Sequence, residues 1–259
     1  MNSGFLYQTH WALIQGVFLA LMLAATAAGF RLGRKAETSI ADKTKSQIST
    51  VGAALLGILG LLLGFTMSMA VTRFEVRKQL VLEEANAIGT SLLRTQLVPA
   101  PEGPAIANLL RQYIRLRVRY GTASDDLAQL VAMRAQGAQL QDAFWTRAAA
   151  YGQKDPNPVR AGLLLQSLNQ TIDLEAARWM AFHNHVPESV IYVNGIVGLL
   201  AVMLVGYAFG LNGRPHIFSM SVLAVGITLV LAVIIDLDRP RSGFIRISQQ
   251  PMIDLLRQP

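Results

Sequence analysis

Cysteine is absent from the 259 residues. That excludes disulfides, thiolate nucleophiles and metal sites built on thiolate ligands, and leaves the redox compartment open. Charge is also scarce: 15% of residues are Asp, Glu, Lys or Arg, against about a quarter in a typical soluble domain. The scarcity is concentrated, because segments 11–30, 51–71, 189–211 and 217–235 contain none of the four. Their polar groups are modest, Gln15, Thr66, Ser68, Asn194 and Thr228, which disfavours a coupled carrier that needs ionisable groups within its spans. No nucleophile-elbow, Walker or dinucleotide-binding pattern sits on a strand–helix turn. Of the four histidines, His183 and His185 come nearest to a ligand pair. Positions i and i+2 of a helix nevertheless point about 200° apart, and no carboxylate pattern completes a site. No enzyme, metal or cofactor is expected.

The four charge-free runs are each about 20 residues long, the length that crosses ~30 Å of hydrocarbon. The chain therefore reads as an all-α polytopic membrane protein. The first run is read as a retained span, because the preceding ten residues lack Lys and Arg and the basic residues come after the apolar stretch. A net charge of +7 then answers to anionic lipid headgroups, and no nucleic acid partner is expected.

The spans form two hairpins. The first turns through 31–50, with Arg31, Arg34, Lys35, Lys43 and Lys45 against Glu37 and Asp42; the second turns through Asn212-Gly213-Arg214-Pro215-His216. Between them, 72–188 reads as four amphipathic helices, which favours an antiparallel bundle outside the membrane. Its first helix prolongs the second span, with Val81, Ala85, Ile88 and Leu92 at helical spacing, until Pro99, Pro101 and Pro104 break it. A second carries Ile106, Leu109, Leu110, Tyr113 and Leu116. Gly121 followed by Ser124-Asp125-Asp126 signals a stop and a new N-cap. The third helix is expected to turn Leu127, Leu130, Val131, Phe144 and Ala148 inward. The fourth is expected to turn in Val159, Leu163, Leu164, Leu168, Ile172 and Trp179. The basic loop at 31–50 favours the cytoplasm, which tips the bundle slightly toward the opposite, periplasmic side. The remaining 236–259 is an amphiphilic tail, bent at Pro240 and Gly243 and too apolar for a solvated end; it is expected to pack back or to lie among headgroups.

Within the second span, Gly57, Gly60, Gly64, Ser68 and Thr72 fall on one stripe. Small residues let helices approach closely, so the stripe serves a helix–helix seam or lines a pore, with Phe65, Met67 or Met69 as apolar constrictions. Arg111, Arg115 and Arg119 recur every four residues, as a solvated face or as a basic vestibule. Arg73, Arg77, Lys78, Glu84, Asp236, Asp238 and Arg239 are candidates for a charged clamp or a ring at a pore mouth. Asp236 and Asp238 are expected to meet Arg73, Arg77 or Lys78, and Glu84 is also a candidate bundle ion-pair partner.

Three stretches together resemble the bacterial membrane proteins called bestrophin-like: LLGFTMSMAVTRFEVRKQLVLEEANAIGTSLLRTQLVPAP (62–101), RQYIRLRVRY (111–120) and DLDRPRSGFIRISQQPMIDL (236–255). The resemblance implies a bacterial inner-membrane protein and kinship with bestrophins, pentameric anion channels whose second span lines the pore. Residues 57–72 would take that role. The proline-rich aromatic neck and the acidic calcium clasp of bestrophins are not found, and no bestrophin residue is carried over. The resulting expectation is a passive, homo-oligomeric ion channel, preferring anions, with lipids and a permeant ion as its partners. The alternative is a non-conducting sensor or scaffold whose bundle binds a ligand or partner.

Overall fold

A computed structural model describes residues 11–123, 126–155, 157–213, 216–239, 241 and 243–257. Among these residues there are eight α-helices and no strand: α1 (Trp11–Ala36), α2 (Asp42–Thr95), α3 (Glu102–Thr122), α4 (Leu127–Gly152), α5 (Pro158–His183), α6 (Glu188–Leu211), α7 (Ile217–Asp238) and α8 (Gln250–Arg257). The chain is all-helical as expected, and four segments, carried by α1, α2, α6 and α7, are long and apolar enough to cross a membrane. Of the residues read as turn or start signals, Ser124, Asp125, Arg214, Pro215, Pro240 and the first ten lie outside the described residues.

The chain divides into two compact units, Met1–Thr72 with His185–Arg239, and Arg73–Asn184 with Pro240–Pro259. Only α2 belongs to both. Its 54 residues run without interruption because no proline breaks the pattern before Pro99.

In the first unit, α1 lies directly on α6. A Cβ at Gly29 would stand 2.0 Å from the Met203 carbonyl oxygen, and one at Gly33 would stand 2.1 Å from that of Tyr207. Reciprocally, Gly206 and Gly210 face the carbonyls of Thr26 and Phe30 at 2.3 Å. Each helix thus presents a glycine pair four residues apart, and the two pairs let the backbones touch. A second tie is polar: Asn194 on α6 donates from Nδ2 to Thr66 Oγ1 on α2 at 2.9 Å. The turn after α6 uses Gly213 at φ +70°, a left-handed conformation that glycine adopts without strain.

In the second unit the helices enclose a core of Ile88, Ile106, Leu110, Tyr113, Ile114, Phe144, Leu164 and Leu168. Two helices start at side-chain caps. Asp126 accepts from the Ala128 and Gln129 amides, and Asn157 accepts from Val159 and Arg160 ahead of Pro158; both satisfy orphan N–H groups of a first turn. The tail returns to this unit: α8 packs on α3 and places Met252 and Leu255 in the core. Four residues expected to point inward do not. Leu127 and Val131 on α4, and Val159 and Leu163 on α5, are exposed. Val131 and Leu163 sit one residue, about 100° of helix, from the buried Leu130 and Leu164, so the apolar stripes are wider than the contacts within one chain.

Candidate functional site

The two faces of α2 in the first unit have opposite fates. Leu59, Leu63, Thr66 and Ala70 are buried, turned toward the chain's own helices. Gly57, Gly60, Gly64, Phe65, Ser68 and Thr72 are all exposed, and a Cβ built at any of the three glycines would meet nothing within 4 Å. The small-residue stripe is therefore not a seam within this chain. The close seam is the one between α1 and α6, built by glycines the sequence reading did not single out.

Inside the second unit lies a charged network. Glu84 of α2 is fully buried. Arg117 Nε of α3 stands 2.7 Å from its Oε1, and Arg117 Nη2 donates to Oε2 at 3.0 Å. Arg178 of α5 pairs with the same carboxylate, and Tyr113 donates its hydroxyl to Oε1 at 3.2 Å. Gln141 of α4 donates to the Tyr113 oxygen at 3.0 Å. Glu175 receives Arg134 at 3.4 Å and lies 3.8 Å from Arg117. Burial pushes the Glu84 carboxyl up, but Arg117 and Arg178 outweigh burial and hold it below the ordinary glutamate range. Burial also raises the Tyr113 phenol, which stays neutral. With every oxygen of Glu84 engaged, the network ties α2, α3, α4 and α5 together and is set up for positioning rather than proton transfer.

The remaining candidates are described within their own units. Arg111, Arg115 and Arg119 are exposed on α3. Arg117, two residues from Arg115 and so about 200° around the helix, turns inward instead. Arg77 donates to the carbonyls of Ala181 (3.0 Å) and Asn184 (2.9 Å), while Lys78 pairs on the surface with Glu75. Arg73 is half-buried. In the first unit Asp236, Asp238 and Arg239 are buried. Asp238 accepts from the Val186 amide at 2.7 Å and lies 3.4 Å from His185 Nδ1, joining the end of α7 to the lead-in of α6. His183 Nδ1 faces the Trp179 carbonyl at 2.8 Å. Among the described residues, no group of three or more His, Asp or Glu could hold a metal ion.

Sequence reading missed Arg117, Glu175 and Arg178, although a signal existed. Glu84 lies three residues after Val81 and four before Ile88, on the apolar face of α2. Arg117 follows Leu110 and Ile114 on the apolar face of α3 in the same way. Opposite charges at core positions of two helices announce a buried pair.

A family model described as Bestrophin-like domain matches residues 16–252. Two crystal structures of a bacterial bestrophin homologue from Klebsiella pneumoniae, one a Tyr-to-Ala and one an Ile-to-Thr variant, share the fold. The first is 14% identical with a TM-score of 0.63, the second 13% identical with 0.62, and each comparison covers 93% of this chain and 98% of the other. No curated protein matches the chain significantly by sequence.

Proposed function

The chain belongs to the Bestrophin-like family, and from that premise we propose that it forms a homo-oligomeric, passive ion channel whose pore is lined by the exposed stripe of α2. One observation carries the reading. Gly57, Gly60 and Gly64 face open space in the single chain, beside the exposed Phe65 and Ser68. Small residues and one large apolar ring on an unoccupied helix face are what a narrow, dewettable pore requires. The exposed Arg111, Arg115 and Arg119 support a preference for anions, because a basic surface raises the local anion concentration. On this reading the protein sits in a bacterial inner membrane with its bundle on the periplasmic side, the side that the basic loop at 31–50 favours.

The test is current from purified protein in planar bilayers under a KCl gradient, with Gly64→Leu and Ser68→Phe as variants. Reversal near the chloride potential, with conductance changed by both variants, is expected. Reversal near the potassium potential would overturn anion preference and leave the channel. Silence from intact oligomers, or a variant that assembles with unchanged flux, would remove α2 from a conducting path and favour a scaffold.

A further inference from the structure

Within the first unit, the two helices that touch at their glycines stand apart nearer their starts. There α1 and α6 wall a cleft of about 490 Å³, floored by Leu231 and Ile235 of α7, both buried. It runs from Leu13 to Leu21 on α1 and from Ile191 to Leu199 on α6, about 12 Å of helix. Among the described residues that line it, only Gln15 and Tyr192 have polar side chains. The Tyr192 hydroxyl already donates to Glu188 at 3.1 Å. Gln15 differs, because its amide nitrogen and oxygen are both buried without a hydrogen-bond partner. Buried polar groups are nearly always satisfied, and inside a bilayer no water makes up the loss.

We propose that this cleft holds one acyl chain of a bilayer glycerophospholipid, whose ester carbonyl accepts a hydrogen bond from Gln15 Nε2. The polarity of the cleft chooses this occupant. Phe18 faces Gly195, so Gln15 is level with Tyr192, at the end where Glu188 opens α6; the lining beyond them is apolar. A phospholipid is built the same way, with its carbonyls at headgroup level and hydrocarbon below. Size agrees. At about 30 Å³ per small group, the share of one water in the liquid, the cleft takes roughly 16 methylenes, which is one chain, whereas a neighbouring helix is about 10–12 Å across. A water would find one amide and otherwise hydrocarbon, and apolar cavities stay dry. Because the Gln15 amide makes no bond where it lies, turning toward the cleft breaks none, and Oε1 then faces the headgroup layer and its donors. None of these residues lies on the α2 stripe, and the site does not depend on whether or what the protein conducts.

The test is native mass spectrometry of the full-length protein in detergent, titrated with dipalmitoyl phosphatidylglycerol and with its diether analogue. The analogue keeps the chains and the headgroup but has no ester carbonyl. The parent should hold its first lipid per chain roughly three- to tenfold more tightly as the diester, the worth of one neutral hydrogen bond. Gln15→Leu should bind the two lipids equally. Without lipid, that variant should melt no lower than the parent, because it has lost only an unsatisfied amide. Ile196→Trp, at a cleft position 57% exposed, should fill the space and abolish the first binding step. Val222→Trp, at an exposed position of α7 outside the cleft, should leave that step intact. Equal affinity of the parent for the two lipids would overturn the proposal. So would binding unchanged in Ile196→Trp, or weakened as much in Val222→Trp, the mark of loosely held surrounding lipid. A disulfide formed in membranes between copies carrying Val17→Cys would assign the cleft to a second copy and overturn it too.

Discussion

The Glu84 carboxylate and the Arg117 guanidinium meet inside the helical bundle with side chains 0% and 4% exposed. Removing one partner of a buried pair leaves an uncompensated charge and costs about 3–5 kcal/mol. Arg117→Met takes one of two arginines from Glu84 and leaves it Arg178, so it should destabilise the protein by up to that amount in chemical or thermal unfolding. Arg147 and Glu102 make a similar contact at 3.3 Å, but with side chains 47% and 36% exposed. Solvent screening limits such pairs to about 1 kcal/mol or less, so Arg147→Gln should hardly move the midpoint. Equal losses from the two variants would show that burial does not set the strength of these pairs.

The same carboxylate sets a pH dependence with a definite sign. Glu84 has its pKa lowered in the folded state, so the unfolded chain takes up a proton at a higher pH than the folded one. The stabilisation is complete above the ordinary glutamate value and is lost as pH falls through the lowered one. A series of melts from neutral pH downward should show the midpoint falling in that acidic window. The fall should be shallower in Glu84→Gln, which is less stable at neutral pH because it already lacks the charge.

Gly33 and Gly162 separate two uses of glycine. A methyl group at position 33 would stand 2.1 Å from the Tyr207 carbonyl oxygen, which is backbone and cannot rotate away; at position 162 nothing lies within 4 Å. Gly33→Ala should cost about 3 kcal/mol, at the upper end of ordinary overpacking. Gly162→Ala should add about 0.5–1 kcal/mol of helix stability. Unfolding of the two variants side by side tests whether the α1–α6 contact is as close in solution.

The absence of cysteine makes the orientation directly readable. Gln153→Cys puts the chain's sole thiol at an exposed bundle position. A membrane-impermeant maleimide should label it in intact spheroplasts if the bundle is periplasmic. Labelling only after lysis would reverse the orientation.

Much of the fold was legible because its main signals are local. Twenty residues without charge identify a span wherever they fall, and Asp126 announces a helix start from its own few neighbours. The glycine seam was harder for a physical reason. The pairs Gly29/Gly33 and Gly206/Gly210 are as visible in the sequence as the α2 stripe, but which small-residue face meets which is decided by pairing between distant segments. The charged network illustrates the same limit. Glu84 and Arg117 each stand on an apolar helical face, so their burial could be read; that Arg178 and Tyr113 share the same carboxylate depends on how four helices are arranged around it. Leu127 and Val159 were misassigned because an apolar stripe marks a preference for cover without naming what covers it.

The backbone contact between α1 and α6 also imposes an order on biosynthesis. Gly33 and Gly210 are separated by roughly 180 residues, and a ribosome adding ~5–20 residues per second needs roughly 10 to 35 s to cover that distance. For that interval the first hairpin sits in the bilayer with its glycine face against lipid chains, which pack poorly into a notch shaped for another backbone. The nascent chain therefore carries a waiting, adhesive helix through most of its own translation. Whatever keeps neighbouring copies of α1 from pairing with one another during that time bears directly on how much correctly assembled protein a cell obtains.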